Sequence, residues 1–309
     1  MKKELLSKNG LAISRIAREF ILLKVGDRID TIREYAARFG FGTGTIQTAL
    51  KVLVEDKAVE LESRGHLGTY IAYIDYHELW DIAGLGSITG VMPLPYSKRY
   101  EGLATGFYKA FEGAGIPFNM AYMRGASRRL EGLEKGKYDF AIMSKLAAEK
   151  ITESGGALEI VFDLGKYSYV GGHKVLISKP KYQEIKSGMK VALDKNSLDQ
   201  YLLTYYECEG KQVTFEEIPY NQILKKLLDK SIDAAIWNID EIEERNLNIP
   251  YYDMKNQKIS EINEDDTRAV VVVKKYNGDF GNILKKFIDP KDILNIQQKV
   301  IKGEILPSY

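Results

Sequence analysis

The sequence predicts two folds in series, a small α+β winged helix-turn-helix domain and, behind it, a larger α/β domain of two lobes. Three observations lead there. Between Thr31 and Tyr70 two short helical apolar periods, a few residues apart, run into two short strand patterns. From Gly86 to the C-terminus strand and helix patterns alternate, as layered α/β domains require. The 309 residues also suffice for more than one core. The expected division is 1–73 for the head, 74–85 for a linker helix and 86–309 for the lobes. The first lobe holds about 86–172 and 268–309, the second about 173–267.

Met1 to Lys24 reads as one or two helices with Leu11, Ile16, Phe20 and Leu23 near one face and Gly10 as a break. Leu5, Leu6 and Ile21 are left for a dimer contact. Next, Ile32, Tyr35, Ala36 and Phe39 keep a helical period, with Thr31 as cap and Gly40 as stop. A second helix starts near Thr43 and runs through Ile46, Ala49, Leu50 and Leu53; small residues at Gly42, Gly44 and Ala49 let the two helices cross closely. Ala58 to Leu61 and Thr69 to Ala72 read as strands joined by a turn from Ser63 to Gly68 that carries Arg64 and His66. The second helix offers a narrow polar face of Thr43, Thr45, Gln47, Thr48 and Lys51. A DNA major groove admits a helix of that width, where Gln and Thr can bond to base edges. Arg64 and His66 on the hairpin then fall against the phosphate backbone or the neighbouring minor groove.

Composition bounds the rest. With 45% hydrophobic and 28% charged residues this is an ordinary soluble chain. No apolar run approaches the roughly 20 residues of a membrane span, and the N-terminus lacks a signal-peptide core, so a cytoplasmic protein is expected. The lone Cys208 has no internal disulfide partner and reads as a buried thiol. The three histidines lack metal-site spacing, and no nucleophile elbow, P-loop or kinase motif occurs, so neither a metal, a cofactor nor an enzyme is expected. Net charge is only +1, and the first 75 residues hold twelve Lys and Arg against ten Asp and Glu. So modest a charge gives a modest salt dependence, and affinity for double-stranded DNA then calls for a dimer or a partner; because operators read by such a head are commonly two-fold, a homodimer is expected.

Asp75, Tyr76, Leu79, Trp80 and Ile82 suit a short linking helix ended by glycines, with His77 at the surface. Strands follow at 87–92, 118–122, 140–143 and 159–162, and helices at 99–112, 127–134 and 144–154. A crossing strand over 167–177 leads to strands 190–193, 214–217 and 234–237 and helices 197–207, 220–229 and 240–245. A last strand over 268–273, rejoining the first sheet, and two helices, 280–288 and 293–301, close the chain. The alternation argues for parallel sheets. Leu133 to Ile142 and Leu227 to Ile236 echo each other, matching Asp139 with Asp233 at a helix-to-strand corner.

Two lobes joined by two crossings leave a cleft at the carboxyl ends of strands. Helix N-termini that open there favour an anion. The candidates are Tyr96 and Arg99, Arg124 and Ser127, Ser144, and Asn196 with Ser197, the serines doubling as helix caps. Arg124 leads, because an arginine just past a strand end can hold a carboxylate or phosphate by two bonds. Gly171 and Gly172 would ease a hinge, and His173 reads as a surface or packing residue.

Gly26 to Ile71 resembles the winged helix-turn-helix of the GntR-type bacterial transcription regulators. The matching features are the Gly26-Asp27-Arg28 entry, Arg33-Glu34 with Ala36, Thr45-Ile46, Ala49-Leu50 and the Gly68-Thr69 wing end. The resemblance adds Arg33 and Thr69 to the DNA-contacting set. Gly42, Thr43 and Gln47 depart from the family's Ser-Arg and Arg, and the wing is one residue longer, which puts the usual base contacts in doubt but not the docking mode. The part behind the head resembles type II periplasmic binding proteins, and nearly the whole chain resembles the YhfZ-type regulators, which join the two. The expectation is a regulator that binds operator DNA and, between its lobes, a small anionic effector. The alternatives are a small-molecule-binding protein or enzyme whose head only dimerises it, and a regulator with an empty, degenerate cleft.

Overall fold

The computed structural model describes residues 7–262, 264–275 and 278–309, which form two compact units. Unit 1 comprises the chain up to Ile88 with Phe111–Phe118 and Asn282–Phe287. Unit 2 comprises Thr89–Ala110, Asn119–Gly281 and Ile288–Tyr309.

In unit 1, α1 (Lys8–Phe20) starts at Ser7, whose Oγ accepts the Gly10 N–H. Gly10 is therefore a capped residue of the first turn, where its lack of a side chain costs little, and not the expected break. Ala12, Ile16, Ala17 and Phe20 form the buried stripe; Ile21 is fully buried too, so it belongs to the core and not to a dimer contact. Leu5 and Leu6 lie outside the described residues. Helix α2 (Ile32–Phe39) carries a complete capping box between Thr31 and Glu34 and ends at Gly40 in the left-handed conformation. Helix α3 (Thr43–Glu55) buries Ile46, Ala49 and Leu53, against α1 and α2. Strands β1 (Val59–Ser63) and β2 (Thr69–Ile74) pair antiparallel, and the entry segment adds to them, Gly26 and Ile29 donating to the carbonyls of Ile71 and Thr69.

Helix α4 (Tyr76–Ala83) is the segment read as a linker. It buries Leu79, Trp80 and Ala83, and its last carbonyl accepts from Ser14 Oγ and Arg18 Nε of α1. The Tyr76 ring packs edge-on at 5.2 Å against Phe287, and its hydroxyl donates to the Leu23 carbonyl. This helix is thus part of the head's core.

Unit 2 contains two five-stranded sheets. The first, ordered β4-β3-β5-β12-β6, uses β3 (Ile88–Met92), β4 (Phe118–Tyr122), β5 (Phe140–Ser144), β6 (Leu158–Asp163) and β12 (Ala269–Lys274). It is accompanied by α5 (Lys98–Gly113), α6 (Ala126–Glu134), α7 (Lys145–Glu153) and α13 (Pro290–Ile301), whereas α12 (Gly278–Phe287) belongs to unit 1 from Asn282 on. The second, ordered β11-β7-β10-β8-β9, uses β7 (His173–Ile177), β8 (Lys190–Leu193), β9 (Thr214–Glu217), β10 (Ala234–Asn238) and β11 (Tyr251–Tyr252). Its helices are α8 (Leu198–Glu207), α9 (Tyr220–Leu228), α10 (Ile239–Glu244) and α11 (Gln257–Glu261). Central strands such as β5, β10 and β12 are buried along nearly their whole length, the signature of sheets covered on both faces.

The sheets are mixed, not parallel. β12 runs antiparallel to β5 and β6, and β7 antiparallel to β10, whereas β3 with β5 and β8 with β9 are parallel. The reversed strands are those that directly follow a crossing, because a chain arriving from the other lobe enters the sheet from the opposite end. The crossing itself is extended only from His173 on; 167–172 forms a link bonded to the return crossing, Tyr169 N–H to Thr267 O and Ala269 N–H to Ser168 Oγ.

The internal echo has a structural meaning. Asp139 and Thr89 exchange two hydrogen bonds, side chain and backbone, at the start of β3, and Asp233 does the same with Lys190 at the start of β8.

Candidate functional site

The ends of β4 and β8 and the starts of α6 and α8 meet around a cavity of about 60 Å³ within unit 2. The loop after β4 supplies Arg124 and Gly125. Gly125 has φ +83°, and a Cβ there would lie 2.6 Å from the Asn196 carbonyl oxygen of the other lobe, so glycine is needed for both the turn and the close approach. Arg124 reaches across: Nη1 donates to Asn221 Oδ1 at 3.1 Å and stands 3.8 Å from Asp194 Oδ2. Asp194 in turn accepts the backbone N–H groups of Asn196 and Tyr220, fixing the loop that leads into α8.

Deeper in, Arg129 projects from α6 and is 3% exposed. Its Nη1 donates to the Met123 carbonyl at 2.8 Å and Nη2 to the Tyr169 hydroxyl at 3.2 Å, while Nε has no partner among the described residues. From the second lobe comes Asp199, in the first turn of α8, buried, with Ser144 Oγ donating to its Oδ1 at 2.7 Å. Burial pushes the Asp199 carboxyl up to about 6, against the pull of Ser144 and of His173. His173 is buried as well, its Nδ1 2.6 Å from Asp266 Oδ2; burial works against its charged form, but the Asp266 carboxylate outweighs it and raises its pKa. Tyr100, Tyr169 and Tyr220 add aromatic walls, Tyr100 edge-on to Tyr169 at 5.2 Å and Tyr220 stacked on Trp237 at 4.0 Å. An outer groove of about 290 Å³ shares Tyr96, Tyr220 and Glu241 with the cavity.

Of the residues picked from sequence, Tyr96, Arg124 and Ser197 line this cavity. Four do not. Arg99 is taken up by a bidentate pair with Asp240, which also accepts the Gly171 N–H. A Cβ on Gly171 would sit 2.3 Å from Asp240 Oδ1, so that glycine makes room for the pair rather than freedom for a hinge. Ser144 caps α7 and reaches Asp199 but is wholly buried behind it. Ser127 is exposed, one residue inside α6, whose cap is Gly125. Asn196 meets Gly125 with its backbone. Ser197 occupies the cap position of α8 without a capping hydrogen bond from its side chain.

Arg129 and Asp199 are not among the residues picked from sequence; His173, read as a surface or packing residue, is packed and also lines the cavity. A signal existed: Arg129 stands with Ala126 and Leu133, and Asp199 with Leu203, on the buried stripe of their helices, where charge is rare unless paired.

On the head, Arg33, Thr43, Gln47, Thr48, Lys51, Arg64 and His66 are exposed, and Thr45 and Thr69 half-buried. Thr48 Oγ1 donates back to the Gly44 carbonyl, Lys51 pairs with Glu55 at 3.4 Å, and Gln47 makes no hydrogen bond among the described residues. Arg64 is folded onto the wing, donating twice to Glu62 with its guanidinium 4.5 Å from the Tyr70 ring centre. The wing tip therefore presents His66 and the exposed Leu67.

Residues 75–309 match the family model of the YhfZ C-terminal domain, and residues 24–71 match a helix-turn-helix domain. The chain belongs to the YhfZ family. It is 34% identical to the uncharacterized protein YhfZ of Escherichia coli (strain K12) over the full length of both. The crystal structure of YhfZ from Shigella flexneri, also 34% identical, covers 72% of this chain and 93% of its own with a TM-score of 0.59. The substrate binding protein of a methionine transporter from Streptococcus pneumoniae covers 72% of this chain and 96% of its own at a TM-score of 0.51. At 12% identity that likeness is one of fold. The chain thus carries a helix-turn-helix domain followed by a two-sheet domain whose fold resembles that of a transporter's substrate binding protein. No helix among the described residues is long and apolar enough to cross a membrane.

Proposed function

We propose that this chain is a ligand-responsive, non-enzymatic transcription regulator that works in the cytoplasm as a homodimer on two-fold operator DNA. The head docks in the manner of the GntR-type regulators, α3 in the major groove with Thr43, Thr45, Gln47, Thr48 and Lys51 along it. Arg33, Arg64, His66 and Thr69 lie toward the backbone and the minor groove. The observation that carries this reading is the exposed polar face of α3 next to the wing, in a segment that matches a helix-turn-helix domain. Gln47 supports it in particular, since its side chain is exposed and makes no hydrogen bond among the described residues.

The effector is a small molecule with an anionic group, held between the lobes. The buried Arg129 with its unpartnered Nε supports this, as do Tyr96, Arg124 and Ser197 on the same cavity. Lobe closure, relayed through the 75–86 segment, changes the spacing of two reading heads, which requires the effector to bind one state more tightly than the other.

Band shifts on DNA upstream of the protein's own operon test the reading. Gln47→Ala is expected to weaken specific binding by about 1–3 kcal/mol, and Arg64→Ala to weaken it less while lowering the salt slope by about one. Undiminished binding by both variants overturns the docking proposed for α3 and the wing.

A further inference from the structure

We infer that the effector is a zwitterion, a small amino-carboxylate whose carboxylate meets Arg129 and whose ammonium meets Asp199. The inference rests on the reading of the cavity as an effector site and deepens it. A plain anion satisfies only one side of this cavity. Arg129 is 3% exposed and lines the cavity; two of its donors are held by Met123 O and Tyr169 Oη, and its buried Nε has no acceptor among the described residues. That N–H is in want of an oxygen, as a buried donor without a partner is costly.

Across the cavity stands a group of the opposite kind. Asp199 is 9% exposed and receives one hydrogen bond, from Ser144 Oγ to Oδ1, which leaves acceptor capacity on a carboxylate that lines the same space. Glu241 lines it too, with Arg245 3.0 Å away on its outer side. The tendency of Asp199 to hold its proton has a physical cause: it is desolvated, and among the described residues no cation bonds to it directly. An ammonium placed there supplies both the charge and the donors. The groups that face Asp199 are Ser144 from the end of β5, His173 from β7, Asp266 from the return crossing and Arg129 from α6.

Size narrows the class further. A cavity of about 60 Å³ has room for a small molecule's polar core and not for a large ligand as a whole. A longer side chain leaves past Tyr96, Tyr220 and Glu241, the wall common to the cavity and the outer groove.

Isothermal titration of the full chain with each of the twenty L-amino acids, and with the matching 2-hydroxy acids and decarboxylated amines, tests this. The expected result is binding of at least one amino acid, with its hydroxy acid and its amine each weaker by roughly a hundredfold or more. Asp199→Asn is expected to lose the preference for the amino acid over the hydroxy acid. Because that variant can fail to fold, the comparison of ligands on the unaltered chain decides. A hydroxy acid that binds as well as its amino acid overturns the zwitterion and leaves the anionic effector standing. No binding by any of the three series overturns the zwitterion, and silence from a further panel of dicarboxylates, phosphates and sugar acids overturns the effector reading with it.

Discussion

The exposed face of α3 and the cavity between the lobes both carry polar side chains, yet they lie at opposite ends of the burial scale. Thr43, Gln47, Thr48 and Lys51 stand in water on the side of α3 opposite Ile46, Ala49 and Leu53. Arg129, Asp199 and His173 are 3%, 9% and 9% exposed. An exposed polar side chain rests on nothing and contributes little to stability, so it is free to be chosen for a partner. A buried charge is part of the packing, and the fold and the shape of the cavity depend on it together.

The largest test of this contrast is Arg129→Ala. It leaves Met123 O and Tyr169 Oη without this donor, and is expected to destabilise unit 2 by about 2–5 kcal/mol in denaturant unfolding. A loss below about 1 kcal/mol would show that the cavity's charges carry no packing role. Gly125→Ala comes next, at about 1–3 kcal/mol, through its positive φ and the 2.6 Å approach to Asn196 O.

Asp199→Asn sharpens the comparison through pH. Its folded value, about 6, lies above the ordinary 3.8, so the folded chain holds this proton more tightly than the unfolded one. That contribution is complete below 3.8 and is lost as pH rises through 6. Unliganded wild type should therefore lose stability across this window, by at most about 1.4 kcal/mol per pH unit for the one proton, relative to Asp199→Asn. Denaturation midpoints that run parallel for the two proteins would refute it. His173, also raised, loses its contribution at higher pH, above its ordinary 6.5. The smallest effect is Gln47→Ala, expected to shift stability by no more than about 0.5 kcal/mol. A larger change in thermal midpoint would mean that Gln47 belongs to the head's packing and not to its free surface.

The same contrast explains what could be read in advance. Thr31, Glu34 and Gly40 bound α2 through their own local chemistry, and the apolar period of α3 leaves its polar face by subtraction. The echo around Asp139 and Asp233 was visible because each aspartate bonds a strand start in its own lobe. Arg129 and Asp199 were passed over because a charged residue on an amphipathic helix is ordinarily solvated. Arg99 was picked for an open cleft that Asp240 in fact fills. Nothing local announced that β7 and β12 would enter their sheets reversed, or that α4 would lie on α1.

What the chain's own order of residues determined is the set of elements and their bounds, because caps, turns and apolar periods act within a few residues of themselves. What the tertiary structure alone decided is which charges face each other. Arg129 and Asp199 are 70 residues apart and on different lobes; they meet only where two sheets, reached by two crossings, close around a common space. Coulomb attraction and desolvation depend on that distance and burial, which no spacing along the chain records.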